Sequence, residues 1–411
     1  MTATEAMKVV IVGAGHAGGS IAALLRSQGF EGPIVLVGDE PVAPYQRPPL
    51  SKAWLKGEAD QESLLLRPAS FYADHGIDLR TGVRVVSISP ADHTVTFADG
   101  AVETWDRLIL ATGSVSRRLA IPGTDRPDLI ELRTLADAER LRSCLGAGRR
   151  LVIVGGGYVG LEAAASARAL GAEVVVLERA DRVLQRVASE PLSAFFTARH
   201  RAEGVDIRSG VDVAGFEDGG VRLGDGEFIA ADAILVGIGA LACDGLARAA
   251  GLACAPGGSG GILVDETART SDPAIFAIGD VTVRPIPVHA ARLRLESVPN
   301  ALEQARQAAC AITGKPRPAP EVPWFWSDQY DIKLQIAGLA QEGDRRIIRG
   351  DPATGHFAVF HLSGDRIVCV EAVNAPPEFM AGRQLIARRT PVAADRLADP
   401  AVTMKAVAAE P

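Results

Sequence analysis

The sequence predicts an α/β fold with two strand–turn–helix–strand units of one design, followed by an α+β segment at the C-terminus. Two observations carry this. A glycine-rich turn between a short apolar strand and a helix occurs twice in the 411 residues. A proline-rich stretch then separates both copies from a series of β-type runs.

In the first copy, Val9–Val12 is a β-branched apolar run, the pattern of a parallel strand buried on both faces. Gly13-Ala14-Gly15-His16-Ala17-Gly18 follows, then a helical pattern over Ser20–Ser27 with Ile21, Leu24 and Leu25 on one face. Gly29 stops the helix. A second strand, Ile34–Val37, ends just before Asp39 and Glu40. The spacing has a physical logic. Gly13 permits a tight turn, Gly15 lets a diphosphate approach the backbone, and Gly18 lets helix and strand pack closely. The helix N-terminus offers free N–H groups and a positive dipole end to phosphate. Asp39 stands about 20 residues on, where an acid binds a ribose hydroxyl. His16, inside the turn, is read as structural rather than as a base.

The second copy repeats every part. Leu151–Val154 is the strand, Gly155-Gly156-Gly157-Tyr158-Val159-Gly160 the turn, Leu161–Leu170 an alanine-rich helix ended by Gly171, and Glu173–Leu177 the second strand with Glu178 at its tip. One such motif is weak evidence; two, each with an acid at the right distance, predict two Rossmann-like dinucleotide-binding domains. Arg107–Ala111 reads as a strand leading into Thr112-Gly113-Ser114. Asp232–Gly239 reads as another, and Thr270–Asp280 as a turn and strand ending in Gly-Asp. A Gly-Asp at a strand end places a carboxylate where a ribityl hydroxyl can reach it. Pro316–Pro323 holds four prolines and reads as a linker. Beyond it lie the β-type runs Lys333–Ala337, Arg345–Arg349, His356–His361 and Ile367–Ala372, then helical stretches. This is the composition of a separate α+β domain.

Composition excludes several function classes. The chain is 47% apolar and 23% charged, ordinary for a globular protein, and carries a net charge of −7. That balance, with no basic stripe, argues against nucleic-acid binding. No apolar run approaches the roughly 20 residues that span a bilayer, so no membrane partner is expected. The first residues lack the pattern of a secretory signal, so a cytoplasmic location is expected. Five cysteines (Cys144, Cys243, Cys254, Cys310 and Cys369) stand singly. Their spacing suits no structural zinc, iron–sulfur cluster or dithiol relay, and no metal site is expected. Cys243 and Cys254 are expected to be buried small residues.

Five further segments carry a resemblance: Arg47-Pro48-Pro49-Leu50-Ser51-Lys52, Leu108–Gly113, Ala277–Asp280, Glu296-Ser297-Val298-Pro299-Asn300-Ala301 and Pro323-Trp324-Phe325-Trp326-Ser327-Asp328-Gln329. On these the chain resembles the flavoprotein ferredoxin reductases of bacterial oxygenase systems, of the putidaredoxin reductase type. Gln46 departs from the family, which often has Asp there. The resemblance implies a glutathione reductase-like fold. A discontinuous FAD domain (1–115 and 245–320) would be interrupted by an NAD domain (116–244) and followed by the C-terminal α+β domain (321–411). It implies FAD, NADH as hydride donor, and a [2Fe–2S] ferredoxin as acceptor, serving a monooxygenase or dioxygenase.

Carried over by position, Ala17, Asp39, Lys52, Val85, Arg133, Asp280 and Val298 match FAD contacts. Gly157, Tyr158, Val159, Glu178, Arg186 and Gly239 match the pyridine-nucleotide site. Hydride transfer is cofactor chemistry, so the protein must orient the rings and tune the flavin. Lys52 is expected to place a cation beside the flavin N5 edge, with Glu162 orienting it. Without the flanking motif, Lys52 would read as a solvated lysine, and Glu162 can equally be an acid on the helix's first turn, complementing its dipole. Trp326, with Trp324, is expected near the flavin or nicotinamide, although a pair at this spacing also suits a strand packed into a core. Glu178 favours NADH by accepting from ribose hydroxyls and repelling a 2′-phosphate, an effect that Arg179 could soften. The acceptor is expected to dock near the FAD and C-terminal domains through Arg67, Arg306 and Arg383, each of which also reads as an ordinary solvated residue. A disulfide reductase would want paired cysteines near the first FAD segment, and Val42–Leu66 has none; an NADH oxidase or peroxidase would want a redox cysteine close to Pro41–Lys52, and none is there. A flavin-bearing interaction protein would want a targeting segment and a basic surface.

Overall fold

The computed structural model describes residues 7–409. The chain groups into two compact units. One comprises the segment through Gln46, then Gln61–Val115 and Ala240–Glu321; the other comprises Arg47–Asp60, Ser116–Gly239 and the segment from Val322.

The first unit is built on a five-stranded parallel sheet in the order Ile275–Ala277, Arg107–Leu110, Val9–Val12, Ile34–Val37, Ile77–Arg80. Val9–Val12 lies at the centre, and the chain leaves it first to one side and later to the other. That reversal opens a crevice at the carboxyl ends of the strands, where ligands bind in such sheets. The strands are apolar on both faces because both are covered: Val9, Ile11, Ile34 and Leu36 pack with the helices His16–Ser27 and Val298–Thr313, and Val10, Val12, Val35 and Val37 with Val85, Val95 and Phe97 of an antiparallel sheet. His16–Ser27 packs on the helix Val298–Thr313, whose fully buried Ala305, Ala308 and Ala309 allow a close approach. Smaller antiparallel sheets flank this core.

The second unit repeats the parallel sheet as Val205–Ser209, Glu173–Glu178, Arg150–Val154, Ala233–Val236, Leu129–Ile130. It also holds a five-stranded antiparallel sheet in the order Trp324–Gln329, Ile332–Gly338, Arg366–Val373, His356–Ser363, Arg345–Asp351, with the helix Pro376–Arg388 against it. Leu161, Ala163, Ala164 and Ala167 of the helix Tyr158–Ala169 share one apolar cluster with Leu334, Phe357, Val359 and Val373. Leu55 joins that cluster, which ties Arg47–Asp60 to this unit.

Both glycine-turn helices begin earlier than the apolar pattern predicts, at His16 rather than Ser20 and at Tyr158 rather than Leu161. Gly15 and Gly157 are the residues that cap them, so the rest of each turn is already helical.

A buried ion pair locks the first unit. Arg284 on the strand Thr282–Ile286 donates to both carboxylate oxygens of Glu303, at 2.8 and 3.0 Å, and to Asn300 Oδ1 at 3.0 Å. Gln307 and the Glu321 amide also donate to Glu303, so the pair is fully hydrogen-bonded. Removing one partner leaves a buried charge without its counterpart, which typically costs about 3–5 kcal/mol. Glu303→Leu should therefore lose about that much stability in urea unfolding, and adding Arg284→Met should recover part of it. Equal losses in the single and double variants would show that the pair matters only as packing volume.

Candidate active site

The two glycine turns share one geometry. Gly13 and Gly155 have φ of +110° and +111°, and a Cβ there would stand 2.2 Å from the Ala111 carbonyl oxygen and 2.4 Å from that of Gly237. At Gly18 and Gly160 a Cβ would strike the carbonyl of Gly13 or Gly155 at 1.9 or 2.4 Å. These four glycines are demanded by the fold. Gly157 is different: its φ is −83° and a Cβ would meet nothing within 4 Å. The fold has no need of a glycine there, whereas a group approaching the backbone from outside does. Neither helix has a capping side chain or an acid in its first turn. Two other helices do carry side-chain caps, Leu135–Ser143 through Thr134 and Asp137 in a reciprocal box and Val298–Thr313 through Ser297, whereas Glu190–Ala202 and Pro376–Arg388 do not. The two glycine-turn helices thus present open N–H groups and a positive dipole end, the arrangement that binds a diphosphate.

Acids stand at both strand tips. Asp39 is largely exposed, with Arg84 at 3.4 Å. Glu178 is held harder: it accepts from the Gly156 amide at 2.7 Å and the Ala180 amide at 2.8 Å. One lone pair on each oxygen is so committed, which fixes the carboxylate and leaves the others open. Arg186 reaches Gly239, its guanidinium 3.3 Å from where a Cβ would stand. Val159 is exposed and Tyr158 half-buried. The Tyr158 hydroxyl donates to the Val187 carbonyl, and burial, with Glu371, pushes its pKa well above the ordinary value, so it stays neutral.

In the first unit, Ser114 Oγ donates to Asp280 at 3.2 Å. Gln304, fully buried, accepts from the Gly279 amide at 2.8 Å and from Thr282 Oγ1 at 2.9 Å, and so anchors the Gly-Asp turn. Ala17 is small where it must be, its Cβ 3.1 Å from where one would stand on Gly279. Val85 is buried on the strand Val85–Ser89, and Val298 opens its helix behind the Ser297 cap. Cys243 and Cys254 are half-buried, not buried as expected, because Cys243 lies in a strand-end loop and Cys254 in an isolated bridge; the buried cysteine is Cys369.

The second unit brings Lys52 and Glu162 together, with Nζ 2.6 Å from Oε2. Glu162 is the fifth residue of its helix and buried, so it does not serve the helix dipole from the first turn. Its Oε2 also accepts from Ser51 Oγ at 2.5 Å, and Oε1 accepts from Ser327 Oγ at 2.6 Å. Ser166 Oγ donates to the Ser51 carbonyl at 2.7 Å, and Arg47 donates to the Arg133 carbonyl. The alternation of the strand Trp324–Gln329 sorts its side chains. Phe325 lies against Tyr158, with ring centroids 4.8 Å apart, and Ser327 and Gln329 are buried on the same parity. Trp324 and Trp326 take the other parity, 5.7 Å apart and half-buried, with the Arg383 guanidinium 5.4 Å from the Trp324 ring.

Sequence reasoning paired Lys52 with Glu162 but gave no role to Ser51, Ser166, Ser327, Gln329 or Gln304. The available signal was a polar residue at a strand position whose parity is otherwise buried. Glu162→Leu should leave the Ser327 hydroxyl without an acceptor, at about 1–3 kcal/mol, and the Ser51 hydroxyl with only the Pro48 carbonyl at 3.4 Å. Thermal unfolding should show the loss. If Glu162→Leu proved as stable as the parent, water would have to replace the carboxylate readily.

The pyridine nucleotide-disulphide oxidoreductase family matches residues 7–305, and the reductase C-terminal family matches residues 324–408. The chain is 49% identical to a probable ferredoxin reductase, CtmF, of Castellaniella defragrans, over 99% of this chain and 100% of that one. It is 44% identical to the putidaredoxin reductase CamA of Pseudomonas putida, over 98% of this chain and 96% of that one. The fold superposes with a TM-score of 0.94, at 44% identity, on the crystal structure of a covalent putidaredoxin reductase–putidaredoxin complex, covering 98% of this chain and 99% of that one. The open helix N-termini and strand-tip acids suit the two dinucleotides, FAD and NAD(H), that such enzymes use. By its full length, and not by the glycine motifs alone, this chain belongs to the pyridine nucleotide-disulphide oxidoreductase family, among its ferredoxin reductases.

Proposed function

We propose that the chain takes electrons from NADH and delivers them, through FAD, to a [2Fe–2S] ferredoxin that serves a monooxygenase or dioxygenase. The observation that carries this is the pair of uncapped glycine-turn helices, each with an acid at the neighbouring strand tip, in a chain that matches ferredoxin reductases end to end. Bound FAD supplies the exchange between a two-electron donor and a one-electron acceptor. The first glycine turn, with Asp39, Arg133 and Asp280, would hold FAD. The second, with Glu178, Arg186 and Gly239, would hold the pyridine nucleotide. Lys52 supplies a positive charge that favours acceptance of hydride, and Glu162 orients its ammonium. Trp326 offers an aromatic face to the reacting rings. A disulfide relay or a peroxidatic thiol has no cysteine to use between Val42 and Leu66.

Glu178 makes NADH the preferred donor. Its carboxylate, pinned by two amides, meets the ribose edge with negative charge and repels a 2′-phosphate. Glu178→Arg should raise the KM for NADH and lower that for NADPH at constant flavin content. Faster turnover of NADPH than of NADH by the parent enzyme, under matched conditions, would overturn this assignment.

The ferredoxin contact is assigned to Arg67, Arg306 and Arg383. Arg67 is exposed and covers Phe71, Arg306 is exposed in part and paired with Glu321 at 2.7 Å, and Arg383 covers Trp324. A chain of net charge −7 meets an acidic ferredoxin only through a local basic surface. Reversing all three charges should slow NADH-driven ferredoxin reduction and flatten its salt dependence, since exposed charges are screened beyond about 8–10 Å. Ferricyanide reduction should hardly change. Equal slowing of both acceptors would place these arginines in support of the flavin instead.

A further inference from the structure

Behind Glu162 a row of buried polar groups continues into the second unit. Ser327 Oγ is 2.6 Å from Glu162 Oε1, and Gln329 Nε2 is 3.1 Å from Ser327 Oγ. His200 Nε2 is 2.7 Å from Gln329 Oε1, and the Tyr330 hydroxyl is 3.0 Å from His200 Nδ1. Ser327, Gln329 and His200 are buried to within 1%. Burial also pulls the pKa of His200 down to about 4, so near neutrality its ring carries a single proton, on one nitrogen.

The direction of this row follows from the charge of Glu162. A carboxylate has no proton to give, so the 2.6 Å contact must use the hydroxyl proton of Ser327. Ser327 then accepts, and Gln329 must turn its amide N–H₂ toward it. The Gln329 carbonyl is thereby left to accept from His200 Nε2–H, and Nδ1 must accept from Tyr330. Each group has one role, and every donor points toward Glu162. If the group at 162 donated to Ser327 instead, the displaced hydroxyl proton would need a new acceptor; the Gln329 side-chain carbonyl is the one in reach, and turning it toward Ser327 would put the His200 proton on Nδ1.

Tyr330 bears an independent mark. It occupies the Gln329–Ile332 turn with φ of +56°, a region costly for a residue with a side chain. In that conformation its ring meets His200 edge-on, with centroids 5.0 Å apart.

We propose that Ser327, Gln329, His200 and Tyr330 are positioning residues, a directional hydrogen-bond chain that holds Glu162 as the anion partner of Lys52 and registers that charge in the tautomer of His200. The inference rests on Lys52 and Glu162 serving the flavin, as proposed above. The part about the tautomer does not require it.

Two measurements test the proposal on the full-length holoenzyme. The first is ¹⁵N NMR of histidine-labelled protein, with the His200 signals assigned by loss in His200→Gln. The parent should show His200 protonated on Nε2. Glu162→Gln, whose amide can donate to Ser327, should move the proton to Nδ1. An unchanged tautomer in that variant would overturn the chain. The second compares Ser327→Ala with Ser327→Thr. Loss of the hydroxyl should lower the flavin midpoint potential, because Glu162 then offsets the Lys52 charge more fully. It should also slow flavin reduction by NADH in single turnover about tenfold, the weight of one hydrogen bond to a charged group. Thr should restore both. If Ala lowers only the unfolding temperature, the four residues are structural and the positioning role is withdrawn. Should Ser327→Ala fail to fold, Tyr330→Phe tests the far end: Gln329 still needs the proton on Nε2, so His200 should keep that tautomer without Tyr330, and a mixture or a move to Nδ1 would overturn the chain. Failure of the parent to reduce ferredoxin would strike the proposed function and leave the tautomer result standing.

Discussion

A carboxylate that is almost out of water must be met by donors, or it takes a proton. That requirement at Glu162 organises the second unit. Its donors come from two places distant in sequence: Ser51 and Lys52 on one side, Ser327 on the other. The carboxylate therefore ties the Arg47–Asp60 segment and the first strand of the C-terminal sheet to the helix Tyr158–Ala169. Pro48 and Pro49 open a short 3₁₀ turn with fixed φ, and Ser166 holds the Ser51 carbonyl at the end of that turn. The ammonium of Lys52 is thus placed by a rigid turn and two anchors rather than by its own flexible stem.

The glycine turns show how one motif can be divided between fold and function. The first and last glycines of each turn are fixed by contacts inside the protein, since a Cβ would enter a neighbouring carbonyl. Such glycines would be needed even if nothing were bound. The central position carries the functional information, and Gly157 shows it most clearly because the space beside it is open. The missing side-chain caps point the same way. Other helices, such as Glu190–Ala202 and Pro376–Arg388, also lack a side-chain cap, but at the two glycine turns the first amides open beside small residues, where a diphosphate can reach them.

Much of this was legible in the sequence because it is local. Strand periodicity, glycine spacing and strand-tip acids depend on residues within a few turns of one another, and the strands that carry them stand where those signals put them; the outer strands Ile77–Arg80, Val205–Ser209 and Leu129–Ile130 carry no such signal and are not legible in the sequence. The helix starts are less legible because an apolar stripe marks only the buried part of a helix, whereas Gly15 and Gly157 cap it a turn earlier. The pairing of Lys52 with Glu162 is reached only through the resemblance, since their separation in sequence hides it. Ser51, Ser327 and Gln304 show no role in the sequence. A hydroxyl or an amide has no preferred partner until tertiary structure brings one, so its sequence carries no trace of the bond.

Two charge pairs of the chain differ in how far they are enclosed. Arg284 and Glu303 are both buried, joined by two bonds, with an amide and a glutamine also donating to Glu303 Oε1. Nothing in that pair is left to change, and its charges cancel where they stand. Glu162 is equally enclosed, but Lys52 keeps 18% of its side chain exposed. One end of that pair is therefore fixed while the other still faces outward, with a charge that solvent does not fully screen. A cation positioned from behind by a buried anion can act on a cofactor without being consumed by its own counter-ion. That placement needs the carboxylate held still, and the donors aimed at Glu162 from two sides hold it.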